Sequence, residues 1–377
     1  MRAPNTIDFW RGVALMEILV NHIPGNSLSR FTHRQYGWSD AAEVLIFLAG
    51  LALAMRCGKG SPGGEWRRVL NIYVWYVAFS LVLICVYYLA YLNGQSAILT
   101  DNRTTLPNAE TIAGVVLLSH QLRYFDILPL YIVLFAMGPL IAWLARNNLA
   151  ALVCSSFALY AATRMWGFGL PAWPGTGVWY FNPFAWQALF VIGYVCGVKR
   201  EALARLMESR ALLVAASIVL VVAFVAMLAG VPNERVHERT AVELAFWGKS
   251  SLGPARILHF LALALVVARV GRFILPMFPL AWTYGSMLGR YAMPTFCFGA
   301  LFSALAQIAS NAGLRGIAVD APFFLVSASV LLAIASFLRA RRRRAFMAAA
   351  LPAHGKFEAF EFSKPDKSAS RPVSRVL

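Results

Sequence analysis

Apolar residues recur along this chain in runs of about 20, the length an α-helix needs to cross the hydrocarbon core of a bilayer. Membrane strands would be shorter and would alternate apolar with polar positions, so the pattern predicts an all-α, polytopic bundle. About ten spans result, near residues 7–23, 40–57, 68–92, 124–145, 149–165, 184–199, 211–230, 254–270, 287–310 and 319–338. Basic residues collect on alternate connections: Arg56, Lys59, Arg67 and Arg68 after the second run, Arg146 after the fourth, and Lys199, Arg200, Arg205 and Arg210 after the sixth. Arg269 and Arg272 follow the eighth run, and Arg339 with Arg341 to Arg344 the tenth. Such connections stay cytoplasmic, so both termini are expected inside. The outer side then holds residues 24–39, 93–123, 166–183, 231–253 and 311–318, with short amphipathic pieces near 111–120 and 238–248.

Composition agrees: 59% of the 377 residues are hydrophobic and 14% charged, more apolar surface than a soluble domain can bury. The first apolar run carries charges and no small-residue cleavage site, so it reads as a retained helix and not a signal peptide. Residues 1–340 form one expected membrane domain, and 341–377 a basic, then Ser/Pro/Lys-rich tail, disordered against anionic lipid. The net charge of +17 lies largely at helix ends and in that tail, which argues against a nucleic-acid partner. Five cysteines, with no C-x-x-C pair, predict buried apolar thiols and no zinc site.

The first run is the exception to the pattern, because it contains Asp8, Arg11, Glu17, Asn21 and His22. Ionisable groups within a span face the bundle interior or a water-filled cavity and mark function by default. Eleven positions along an α-helix, from Arg11 to His22, amount to about three turns and about 16 Å, so the two lie on nearly one face at opposite ends. His22, before the helix-ending Ile23-Pro24-Gly25, is the candidate general base, since imidazole exchanges protons near neutrality. In Ser39-Asp40-Ala41-Ala42-Glu43, Glu43 fits a capping box or, one turn into the membrane, a support for His22. Arg67 and Arg68 are either inner-face anchors or partners of Arg11 in gripping the phosphates of a cytosolic cofactor.

The Arg11/His22 spacing, the acidic start of the second helix, Phe47-Leu48-Ala49-Gly50 and the basic start of the third resemble the membrane-bound acyltransferase-3 superfamily. Three segments narrow the resemblance to the OpgC family, which transfers succinyl groups to osmoregulated periplasmic glucans. These are Asn21 to Asn26 with Tyr36 to Glu43, Arg123-Tyr124-Phe125-Asp126-Ile127-Leu128-Pro129-Leu130-Tyr131, and Phe181-Asn182-Pro183-Phe184-Ala185-Trp186-Gln187. Ala49 departs from the superfamily, which often has Ser there. The resemblance implies a bacterial inner-membrane O-acyltransferase that uses cytoplasmic acyl-CoA, such as succinyl-CoA, and a periplasmic glucan acceptor, with no metal. His22, Glu43 and Asp126 would be catalytic, and Arg11, Arg67 and Arg68 would hold the donor. Asp40, Arg123, Trp173, Trp179 and Asn182 would meet the sugar, although an interfacial aromatic belt accounts for the tryptophans without any ligand. The alternative is a transporter or channel using the buried Arg/Glu/His line; paired repeats of broken helices would mark it, and the sequence has none.

Overall fold

A computed structural model describes residues 5–57, 64–101, 107–231 and 241–350 of the chain. Lys59 and the middle of the 231–253 connection therefore lie outside the described residues. The described residues form α-helices and short 3₁₀ turns, with no strand among them. In order these are α1 (Thr6–Asn21), α2 (Ala41–Cys57), α3 (Gly64–Leu92), α4 (Ala97–Asp101), α5 (Ala109–Val116), α6 (Ile127–Ala136), α7 (Gly138–Asn147) and α8 (Leu149–Trp166). There follow α9 (Pro183–Val198), α10 (Arg200–Met207), α11 (Arg210–Leu228), α12 (Ala241–Trp247), α13 (Pro254–Ile274), α14 (Pro279–Arg290), α15 (Ala292–Asn311) and α16 (Ile317–Ala350).

The chain divides into two units, Met1–Ser336 and Phe337–Leu377. The described part of the second is the arginine-rich end of α16, so residues 341–350 of the expected disordered tail are helical. Residues 351–377 lie outside the described residues.

Six helices (α3, α8, α11, α13, α15 and α16) are long and apolar enough to cross a membrane. α6 and α7, bent by 43° to one another, supply a seventh if they form one span. The expected single helix over 124–145 is thus broken, since Pro139 opens α7 and cannot donate to the turn before it. The expected helix over 287–310 is also two: α14 ends at Arg290, Tyr291 leaves the helical region, and α15 begins at Ala292. α1, α2 and α9 have 16, 17 and 16 residues, about 24–26 Å at 1.5 Å per residue and shorter than a hydrocarbon core of about 30 Å.

Those short helices form the centre, and glycines bring them together. A Cβ on Gly50 of α2 would lie 1.9 Å from the Phe190 carbonyl oxygen of α9, and one on Gly193 of α9 would lie 2.2 Å from the Phe47 oxygen of α2. The same holds for α1 and α14, where a Cβ on Gly12 would sit 2.0 Å from the Gly285 oxygen and one on Gly289 would sit 1.7 Å from the Asp8 oxygen. Where lipid tails are as apolar as the side chains, such close backbone approach drives helix association by van der Waals contact. α11, by contrast, buries only Ala216 and Ala223 and turns most of its surface outward.

Candidate active site

The N-cap of α2 organises the site. Asp40 precedes the helix; its Oδ1 accepts from Ala42 N at 2.9 Å, and its own N–H donates to Glu43 Oε2 at 2.9 Å. This is the capping box read from the sequence. Its carboxylates also meet cations from more than 200 residues downstream: Arg256 Nε donates to Glu43 Oε1 at 2.6 Å, and Arg256 Nη2 to Asp40 Oδ2 at 3.3 Å. Lys249 Nζ donates to Asp40 Oδ2 at 2.5 Å. Burial lowers the proton affinity of Lys249, but the attraction of Asp40 outweighs it and the ammonium titrates above its usual value. Next door, Ser39 N–H donates to His259 Nδ1 at 3.2 Å, which fixes the approach to α2.

Above this cap lies a cavity of about 230 Å³, walled by the ends of α1, α2 and α6 and by the 34–40, 123–126, 180–181 and 249–256 stretches. His22, Asp40, Arg123 and Asp126, all read from the sequence, line it. His22 caps the C-terminus of α1, and its ring stacks on Tyr124 at 4.5 Å between centroids, inclined by 26°. Tyr124 has φ +68°, a left-handed conformation uncommon outside glycine and typical of constrained functional sites. The Arg123 guanidinium lies 5.0 Å from the centre of the Tyr124 ring. His22 Nδ1 is buried without a hydrogen-bond partner.

Several expectations are corrected here. Glu43 does not bond His22: it is fully buried, outside the cavity lining, and committed to Arg256 and the Asp40 amide. From the aromatic outer segment, Tyr180 and Phe181 line the cavity, whereas Trp173, Trp179 and Asn182 do not. Trp173 is exposed on the loop between α8 and α9, and Trp179 is packed away. Asn182 caps α9 and donates to the Phe168 carbonyl at 2.7 Å. Arg34, Lys249 and Arg256 were not assigned to the site from sequence, yet they bring the cavity lining to four cations against the carboxylates of Asp40 and Asp126.

A second cavity, of about 160 Å³, lies towards the other end of α1 and is lined by Arg11, Leu15, Arg68, Asn71, Tyr131 and others. Arg11 Nη1 is 3.4 Å from Asp8 Oδ1, and the Arg68 guanidinium sits 4.4 Å from the Phe135 ring centre. Arg67 is exposed and does not join them. Arg11 and Leu15 line this second cavity, and Ile18 and His22 the first. These four are spaced four, three and four apart, so one face of α1 serves both cavities, as the Arg11/His22 spacing predicts. Ile127 and Phe296 line both; they form the shared wall, and Phe296 is stacked on Phe125 with 5.5 Å between centroids.

A polytopic helical protein with an imidazole in a polar cavity at one end and paired arginines at the other has the build of a membrane-associated acyltransferase. The family model described as OpgC protein matches residues 2–343, and the chain belongs to that family. Membership makes it a glucan-modifying membrane acyltransferase. No curated protein and no solved structure matches it.

Proposed function

We propose that the protein transfers a succinyl group from cytoplasmic succinyl-CoA to hydroxyls of a periplasmic glucan, across a bacterial inner membrane that it spans about ten times with both termini inside. The observation that carries this reading is the single face of α1 lining two cavities, with Arg11 at one and His22 at the other. Arg11 and Arg68 would hold the CoA phosphates through charge-assisted hydrogen bonds, and the pantetheine arm would reach past Phe296 to the outer cavity. There His22 takes the proton of a sugar hydroxyl as its oxygen attacks the thioester carbonyl. The tetrahedral intermediate collapses with loss of the C–S bond, and the imidazolium returns the proton to the leaving thiolate. Four cationic side chains against three carboxylates, counting the Glu43 that holds Arg256, suit an acyl group that ends in a carboxylate. Asp126 and Arg123, in the lining of the same cavity, would meet the acceptor or the base, while Asp40 would act by holding Lys249 and Arg256.

The test is succinyl transfer from labelled succinyl-CoA to glucan in proteoliposomes, together with mass spectrometry of glucans from cells carrying each variant. His22→Ala is expected to lower transfer by about 10²–10⁴-fold, the usual worth of a general base. Equal transfer with and without His22 would sink the assignment.

A further inference from the structure

The face of α1 turned away from the two cavities borders a third space that the transfer reaction leaves unused. It is an apolar groove of about 850 Å³ between α1, α2, α13 and α16, lined along α1 by Thr6, Trp10, Val13, Glu17 and Val20. From Thr6 to Val20 it follows the helix for about 21 Å, two thirds of the depth of a hydrocarbon core. Leu263, Val267, Phe324 and Leu325 close its other sides.

Into this apolar lining projects one polar pair. His33 Nδ1 and Glu17 Oε2 are 2.8 Å apart, and the Glu17 side chain is only 9% exposed. Each partner keeps a second atom with nothing to bond: Glu17 Oε1 and His33 Nε2 are both buried and unpartnered. Burying such an atom without a partner is unfavourable, so the pair calls for a ligand. Glu17 Oε1 accepts only, which requires an N–H or O–H from that ligand, and the groove beside it accepts hydrocarbon. A phospholipid whose head group carries an N–H or O–H offers both.

We propose that this groove is a binding site for a single glycerophospholipid, with an acyl chain along α1 and a head-group N–H or O–H donated to Glu17 Oε1. Phosphatidylethanolamine and phosphatidylglycerol carry such a donor; phosphatidylcholine does not. The site is independent of the reaction proposed above, since it uses the other face of α1.

The full-length protein would be reconstituted into vesicles of phosphatidylcholine containing a minority of phosphatidylethanolamine or phosphatidylglycerol. It would then be extracted and weighed by native mass spectrometry under rising activation. The expected result is one retained donor-bearing lipid per chain, preferred over phosphatidylcholine by about tenfold, equivalent to about 1.4 kcal/mol. Glu17→Leu/His33→Leu, which removes both polar groups together and so avoids stranding one, should abolish the preference. Val13→Trp, which fills the groove and leaves the pair intact, should abolish retention. Equal retention of phosphatidylcholine by the wild-type protein would mean non-specific annular lipid only and would overturn the proposal without any variant. Unchanged preference in the double variant would overturn it as well.

Discussion

Removing the Arg256 guanidinium, as in Arg256→Met, tests what the carboxylates at the start of α2 are for. In the native protein Glu43 is fully buried and bonded by Arg256 at 2.6 Å and by the Asp40 amide at 2.9 Å. Deleting the cation leaves a buried carboxylate with one neutral donor, which costs about 3–5 kcal/mol in comparable pairs. Asp40 retains Lys249, so the penalty falls on Glu43 and the lower part of that range is expected. Glu43→Gln strands the cation instead, although Arg256 keeps its 3.3 Å contact with Asp40, and about 2–3 kcal/mol is expected. In the double variant neither charge is left without a partner, so its cost should fall below the sum of the two by about 2–3 kcal/mol of coupling, within the range for residues in contact. Thermal or denaturant unfolding of the four proteins in one detergent measures the cycle, and succinyl transfer measured in parallel separates structure from chemistry. If the losses simply add, or if Glu43→Gln loses transfer without losing stability, Glu43 is not the structural anchor described here.

Phe296→Leu thins the wall shared by the two cavities, so acceptor-free hydrolysis of the thioester should rise relative to transfer; an unchanged release of CoA would show that the wall is not Phe296. Gly289→Val places a side chain where even a Cβ lies 1.7 Å from the Asp8 oxygen, and should cost at least about 1–3 kcal/mol through overpacking, read as a lowered unfolding midpoint. Burial lowers the His33 imidazole, but the hydrogen bond and charge of Glu17 raise it further, so the net shift is upward from 6.5. A raised folded-state value means that the stabilisation is complete below the unfolded value and disappears as pH rises through the folded one. The stability advantage of wild type over His33→Gln should therefore shrink above pH 6.5; a gap independent of pH between mildly acidic and alkaline buffer would contradict this.

Much of this architecture was legible because membrane insertion makes hydropathy a strong constraint. A helix stands at each expected apolar run, and the helical period alone set Arg11 and His22 on one face. The breaks within apolar runs had signals that hydropathy alone passes over: Pro139 opens α7, and the charged Arg290 ends α14 just before the turn at Tyr291. In the site, the local pattern at Asp40 and Glu43 revealed the cap but not the cations that complete it, since Lys249 and Arg256 arrive through tertiary folding. One signal was available. Arg256 lies near the start of an apolar run, where a buried arginine needs a carboxylate at the same depth, and Asp40 and Glu43 open an apolar run on the side expected to be the same. The tryptophans misled because aromatic residues at a membrane surface carry the same signature whether they touch a sugar or only lipid.

The glycine seams have a consequence for how the molecule can move. α1 is clamped backbone to backbone against α14, and α2 against α9, so neither can slide or rotate without forcing main-chain atoms into each other. The helices that furnish the base and its acidic neighbours therefore act as a stator. Room for a long substrate arm through the middle then has to come from side chains of the shared wall, Ile127 and Phe296, and not from sliding of these helices.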